Sequence, residues 1–280
     1  MELENINQLA FDGYTVVKGL SRDEVHTARD LFQKWYEANQ IRRRPISPHG
    51  IIKHWNIGHT AFAWYIRTRP SVQDVWAAIF GTRDLVVSFD GACYMPPGLN
   101  RSNSKKGWLH VDQAPNNPEW ACVQGFVALT SNTEATLGLV PGSHLRFQEN
   151  TQDVKVRHKR WVPLPNLDAS GVIRVPVEAG DIVLWDSRVA HMNFYGPEER
   201  LVQYVSFLPR IGASKRDLHK RQVYFRTKRT TSHWAYPLEV VGKQPQTFGN
   251  QGLKIDYESI RDPTPQEFWD HMDPDINKLV

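Results

Sequence analysis

The residues best placed to do chemistry in this chain are His110 and Asp112, two positions apart in the apolar, strand-like run Gly107 to Gln113, GWLHVDQ. Residues i and i+2 of a strand project from one face, so an imidazole and a carboxylate in this register can close on one metal ion. His191 supplies a third candidate ligand, at the end of a second apolar run, DIVLWDSRVAH, that follows the turn signal Ala179-Gly180-Asp181. Two neutral imidazoles and a carboxylate on one side of a metal form the facial triad that suits non-haem iron(II) and leaves the opposite positions open. A His-x-Asp pair alone is weak evidence, since it most often marks a satisfied polar pair at a strand edge. Arg200 adds to it, nine positions after His191 at the head of the run RLVQYVSFL. Iron(II) with one carboxylate ligand keeps one net positive charge, whereas a chelating 2-oxo-dicarboxylate brings two negative ones. Its remote carboxylate then needs a fixed cation, and the bidentate fork of Arg meets that need better than Lys.

His110-x-Asp112, the run Gly138-Leu-Val-Pro-Gly-Ser-His144, the Gly180-Asp181 turn, His191 and Arg200 follow one another in an order that resembles the phytanoyl-CoA dioxygenase family of iron(II)/2-oxoglutarate oxygenases. The likeness covers residues from about 85 to 210 and extends more weakly to the N-terminal helix. It implies a mainly β fold, a double-stranded β-helix (jelly roll or cupin-like barrel) with flanking N-terminal helices and long loops. It also implies Fe(II), 2-oxoglutarate as cosubstrate and O2. In the reaction so implied, His110, Asp112 and His191 hold iron, 2-oxoglutarate is decarboxylated to succinate and CO2, and an unactivated C–H bond of the substrate is oxidised. Hydroxylation is the default outcome; desaturation, ring formation and epimerisation use the same oxidant. Halogenation is disfavoured because Asp112 occupies the position a halide would need. The chain departs from the family twice: Thr136-Leu137-Gly138 stands where Gly-Gly is usual, and Val202 stands where some relatives carry Ser. By the same resemblance the strand Trp120 to Thr130 lines the cofactor pocket. Gln124, its lone strongly polar interruption, is then a cofactor or ligand-shell candidate, with a buried amide satisfied by backbone as the equal alternative. His144 lacks both the preceding Gly-Asp turn and the following Arg, so it is expected to hold its loop or face the substrate.

Composition sets the outer limits. The chain has 280 residues, 40% hydrophobic, with ten Trp, which suits one domain: a barrel over about 85–210, helical N-terminal support over 1–84 and a C-terminal extension over 211–280. The formal charge of +4 permits an anionic substrate but falls short of the basic stripe of a dedicated nucleic-acid binder. Cys93 and Cys122 lie in apolar runs and read as small buried hydrophobes, pointing to a reducing, cytoplasmic setting. The N-terminus lacks the basic start and apolar core of a signal peptide, and no stretch approaches a membrane span, so a soluble protein is expected.

The supporting elements follow in order. Residues 8–20 read as a short strand, and Ser21 with Glu24 forms a capping box for a helix running to about Asn39. Ile41 to Gly58, with His49, His54 and nearby His59, reads as a lid loop from which His54 touches substrate. Helices are expected over 61–67 and 71–80, and one alternating strand over Leu85 to Met95, on which Asp90 and Tyr94 share a face. A mid-strand acid needs a partner, either a structural Arg or backbone group or a cationic substrate group. The loop Pro96 to Lys106 offers Asn100 and Arg101 as substrate contacts. Residues 145–171 read as a polar lid insertion, Arg210 to Arg229 as a basic patch or solvated helix, and Gln266 to Met272 as a last short helix.

Asp90 and Tyr94 on one strand face favour a small polar or amphoteric metabolite, because Asp90 would repel an anion placed against it. The expected partner is therefore a small molecule, with neither nucleic acid nor membrane. The rival reading is a jelly-roll protein that binds a small carboxylate or zinc without oxidising anything. A zinc hydrolase needs a general base beside its three ligands, and none is identified.

Overall fold

The computed structural model describes residues 2–41, 49–98, 108–154, 161–244 and 254–280. The chain forms two compact units, one from Met1–Lys18 and Met95–Leu201, the other from Gly19–Tyr94 and Val202–Val280.

The first unit carries two antiparallel sheets. In one, Tyr14–Lys18 pairs with Asp181–Asp186, which pairs with Val123–Ala128. Arg200 and Leu201, the head of the strand Arg200–Val205, continue it: Leu129 donates its amide to Leu201 O, and Leu201 donates to Thr130 Oγ1. Val123–Ala128 and Asp181–Asp186 are buried along their whole length, which is why both read as largely apolar runs, the first interrupted by Gln124. The second sheet has the order Val162–Pro163, His110–Val111, His191–Asn193, Leu137–Leu139, Ile173–Arg174. Beneath it Leu109, Val111, Phe147, Val162, Leu164, Ala190 and Met192 form one apolar cluster. This mostly antiparallel β architecture is the jelly-roll class expected from the sequence.

A helix, Leu3–Asp12, precedes the first strand, where the sequence led us to expect extended chain from residue 8. Its polar content hides it, but Glu2 and Asn5 close a capping box and Gly13 ends it in the left-handed region, φ 79°. Gly13 is required twice over, because a Cβ there would stand 2.4 Å from Val189 Cγ2 and 2.5 Å from His144 Nδ1. The expected lid over 145–171 is also partly framework. Phe147, Val162 and Leu164 are buried in the cluster above, and Val162–Pro163 pairs with the His110 strand. Charged neighbours had masked the alternation of Val162 and Leu164.

The second unit is built from the helices Arg22–Ala38, Ala61–Arg67, Pro70–Phe80, Lys215–Arg226 and Gln266–Leu279, with short strand pairs between them. The Ser21–Glu24 capping box forms, with Ser21 accepting from the Glu24 amide and the Glu24 carboxylate accepting from Ser21 N at 2.8 Å. The run 85–95 is not one strand. Leu85–Val87 pairs with Phe207–Pro209, Ala92–Met95 pairs with Ile51–Ile52, and the chain is irregular between them. Competing partners break the ladder: Thr231 Oγ1 takes the Phe89 amide, and Arg67 Nη2 donates to Asp90 O at 2.8 Å. Gly91 admits the close pass of the Ile52 carbonyl, which a Cβ would meet at 2.0 Å. Asp90 and Tyr94 therefore do not share a strand face, and Ile51–Ile52 gives the expected 41–58 loop a strand of its own.

The basic segment is likewise more than a solvated helix. Arg221 is fully buried in Lys215–Arg226 and donates to the carbonyls of Val87, Ala235, Leu279 and Val280. The last helix runs on through Pro274 to Leu279 because Met272, Ile276 and Leu279 recur on one buried face.

His59 is a buried core residue of this unit, ringed by Trp64, Phe89 and Phe225, with its Nε2 2.9 Å from Arg229 O. Burial pushes its pKa from 6.5 down to about 3, against the pull of the Arg229 carbonyl. The folded pKa lies below the unfolded one, so His59 contributes stability that is full above pH 6.5 and lost as pH falls toward 3. Urea midpoints measured across that window should fall steeply for the wild type, and His59→Phe should flatten the slope. An unchanged slope would move the acid sensitivity elsewhere.

Candidate metal centre

His110 and His191 are distant in sequence but stand opposite each other in adjacent strands, with ring centroids 4.2 Å apart. On its other side His191 faces Leu139, which brings the Gly138 to His144 run beside it; Ser143 Oγ accepts the Ala190 amide at 2.9 Å. Asp112 follows the His110 strand, and its own amide donates to Ser187 O at 3.0 Å. Its carboxylate then reaches both rings, with Oδ1 3.8 Å from His110 Nε2 and Oδ2 3.2 Å from His191 Nε2. One ligand atom from each of the three residues lies within 4.8 Å of the others.

The two histidines are oriented in the same way. His110 Nδ1 lies 2.9 Å from Trp108 O and His191 Nδ1 lies 2.9 Å from Val189 O, each the carbonyl two residues back. A carbonyl only accepts, so Nδ1 carries the proton and Nε2 presents its lone pair toward Asp112. That is the neutral tautomer a metal ligand needs, held by a backbone partner of the kind that orients metal-bound histidines. Lone pairs facing a carboxylate repel unless a cation lies between them, and this donor set, two imidazoles and a carboxylate, fits iron(II).

Gln124 donates from its side-chain amide to Asp112 Oδ2 at 3.1 Å. Phe126 lies two residues further along the same strand face, and the Arg200 guanidinium sits 5.5 Å from its ring centroid. Arg200 is 1% exposed, and among the described residues its Nη1 and Nη2 have no hydrogen-bond partner. A buried guanidinium with both terminal nitrogens open is costly unless an anion completes it, so the site fits a dicarboxylate cosubstrate. Glu198 stabilises the approach to this strand. Burial raises its pKa, but the amides of Thr133, Ala135 and Glu134 outweigh that and hold the carboxyl at about 2.

Residues 10–194, more than half of the chain, match the family described as Phytanoyl-CoA dioxygenase (PhyH). The chain belongs to the PhyH family. Its enzymes are the non-haem iron, 2-oxoglutarate-dependent oxygenases expected from the sequence motifs. Among curated proteins this PhyH chain is 27% identical over 203 residues to Ava biosynthesis cluster protein O of Aspergillus versicolor, a match covering 65% of this chain and 65% of that protein. Among solved structures it is similar to the non-heme monooxygenase ThoJ in its apo form, with TM-score 0.55 and 19% identity over 73% of this chain and 76% of that one. It is also similar to the epimerase SnoN in complex with Fe3+, alpha ketoglutarate and nogalamycin RO, with TM-score 0.51 and 18% identity over 73% and 82% of the two chains. The structural likenesses establish the shared fold.

Of the other residues singled out in this PhyH chain, His144 stands apart from the triad. Its Nε2 lies 3.1 Å from Ala10 O, tying its loop to the N-terminal helix. His144→Ala should lower the melting temperature and leave metal affinity unchanged in a Co(II) titration; loss of Co(II) binding would put His144 in the ligand set. His54, Asp90 and Tyr94 belong to the second unit. Burial lowers the His54 pKa, with the Lys53 charge adding to it and the backbone of Gly242 and Lys243 opposing. Asp90 Oδ1 accepts the Gly91 amide at 2.7 Å and lies in the field of Arg67, the structural kind of partner considered above. Tyr94 packs its ring 5.3 Å from Phe32 and 5.1 Å from Tyr36. Asn100 and Arg101 lie outside the described residues. No helix among the described residues is long and apolar enough to cross a membrane.

Three tryptophans around the triad escaped the sequence reading. Trp108 stacks on His110 at 4.8 Å and 13°, Trp161 lies 5.7 Å from the same ring, and Trp185 lies 5.5 Å from His191. Trp108 was findable, since it sits two positions before His110. Trp161 comes from the presumed lid and Trp185 from across a sheet, so neither had a local signal.

Proposed function

We propose that His110, Asp112 and His191 hold iron(II), that Arg200 anchors the remote carboxylate of 2-oxoglutarate, and that the enzyme oxidises an unactivated C–H bond of a small molecule. The observation that carries this reading is the triad itself, with both Nε2 lone pairs turned on the Asp112 carboxylate by backbone acceptors behind the rings. Bound iron supplies O2 activation coupled to decarboxylation of 2-oxoglutarate to succinate and CO2. The protein's share is positional. Asp112 neutralises part of the metal charge, Gln124 orients Asp112, and Arg200 fixes the far end of the cosubstrate. Arg200 is 1% exposed and lies against Phe126, which packs 5.9 Å from Trp185, so its charge is little screened.

Hydroxylation is the simplest outcome for the substrate, and an epimerase with a similar fold keeps the alternative outcomes open to test. Asp90 and Tyr94, separated by the break in the strand, do not form the shared polar face expected to favour a polar substrate. Trp108 and the 40% exposed Trp161 beside His110 support instead a substrate with an apolar or ring portion. A relative named as a biosynthesis cluster protein fits a small-molecule substrate of this kind.

The test is O2-dependent conversion of 2-oxoglutarate to succinate by the full chain with added Fe(II), followed by a metabolite screen for coupled depletion. Succinate no higher than in the protein-free control, with every metabolite of the screen, would return the jelly-roll binding protein as the better reading. Gln124→Leu should weaken Fe(II) binding about 10- to 100-fold while leaving the fold intact, the usual effect of losing a partner that orients a ligand. Unchanged affinity would make Gln124 a packing residue.

A further inference from the structure

The second unit contains a basic cavity of about 210 Å³ lined by none of the residues assigned to the metal or its cosubstrate. Lys53, Arg226, Lys228, Arg229 and Lys243 line it together with Tyr257, and no Asp or Glu does. None of these five cations lies within ion-pair distance of a carboxylate among the described residues, which include every Asp and Glu of the chain. Ordinary solvated surface charge is usually interspersed with the opposite sign, and cations gathered without one repel each other.

The cavity is also braced. Tyr257 donates its hydroxyl to Lys243 O at 2.6 Å, Arg229 Nη2 donates to Val241 O at 3.1 Å, and the Arg229 carbonyl is engaged by His59. Three stretches far apart in sequence are thus tied around one concavity. The placement of Lys228 is the sharper sign. It follows the helix Lys215–Arg226 with φ 49°, in the left-handed region where helix ends favour glycine, and the Arg229 amide closes the turn onto Tyr224 O at 2.8 Å. A lysine at this position is a poor choice for the backbone, and strain of this type gathers at ligand sites. A helix C-terminus does attract cations, which explains Arg226 in part, but not the convergence of Lys53 and Lys243 from other segments.

We propose that this cavity is a binding site for a phosphate-class oxyanion, either inorganic or carried as the phosphoryl group of a small molecule. Several donors converging on a small concavity match the three acceptor oxygens and double charge of a phosphoryl group, while the volume is too small for a nucleic-acid duplex.

The experiment is isothermal titration of the metal-free full chain with pyrophosphate and, separately, with glycerol 3-phosphate; the tighter of the two identifies the natural carrier class. Wild type should bind at least one of them, more weakly as salt rises. Lys228→Gly should weaken binding about ten- to a hundredfold, as loss of a charged hydrogen-bond donor does, yet raise the melting temperature by relieving the backbone. Lys53→Ala with Lys243→Ala should weaken binding further, and Lys34→Ala, on a different helix, should change nothing. Binding absent in wild type, binding untouched by the cavity variants, or a single-stranded oligonucleotide that binds tighter than both phosphates would overturn the proposal.

Discussion

Asp112→Ala is expected to abolish stoichiometric Fe(II) binding and, with it, all 2-oxoglutarate consumption, and His110→Ala and His191→Ala are expected to do the same. Two remaining ligands hold a divalent ion weakly and leave its geometry unset. Asp112 should be the most damaging of the three. Its carboxylate provides the only negative charge of the set, lies near both imidazoles, and receives the Gln124 amide. Its removal also leaves that amide without its acceptor. The measurement is metal content after anaerobic loading and gel filtration, with circular dichroism to establish that each variant is folded. The triad reading would not survive a folded Asp112→Ala protein that retained one equivalent of iron. His144→Ala is the internal control: it differs from His191→Ala in being tied to the Ala10 carbonyl on the helix Leu3–Asp12.

The site was legible in the sequence where strand geometry carried the information. His110 and Asp112 are two apart, and the turn at Gly180-Asp181 starts the strand leading toward His191, with Glu178 donating its amide to Asp181 Oδ2 at 2.8 Å. The pairing of His110 with His191 was not legible, because register between distant strands is fixed by burial on both faces rather than by any local signal. Gln124 was visible as a polar residue in an apolar run, but its alternatives, backbone or ligand shell, are separated only by the 3.1 Å contact with Asp112.

The misreadings also share a cause. Leu85 to Met95 alternates well enough for one strand, yet backbone groups near Asp90 are claimed by Arg67 and Thr231 from elsewhere in the second unit. Arg221, in a segment that reads as a basic patch or solvated helix, is in fact fully buried and satisfied by carbonyls, as is Arg67. Burial lowers the pKa of each to about 9, a measure of how far they are removed from water. Charge in a sequence marks a demand for partners; whether water or carbonyl oxygen meets it is decided by contacts distant in the chain.

Arg200→Met is expected to raise the stability of the ligand-free protein while nearly abolishing 2-oxoglutarate binding. The two effects have opposite signs because they draw on the same charge. Without an anion, Arg200 is a buried cation, 1% exposed, whose terminal nitrogens have no partner among the described residues, so an apolar side chain of similar length removes a desolvation cost. In the proposed complex with 2-oxoglutarate the guanidinium forms a desolvated bidentate pair, and losing one partner of such a pair costs about 2 to 5 kcal/mol. That corresponds to a loss of affinity from tens to thousands of fold. Arg200→Lys should fall between, keeping the charge but losing the fork. Thermal melts with Ni(II) and increasing 2-oxoglutarate separate the terms: the ligand-free midpoint rises in Arg200→Met, and the upward shift produced by 2-oxoglutarate in the wild type disappears. A ligand-induced shift equal to that of the wild type would place the anchor on another residue, and a ligand-free midpoint that falls would show that Arg200 is held by protein groups rather than reserved for an anion.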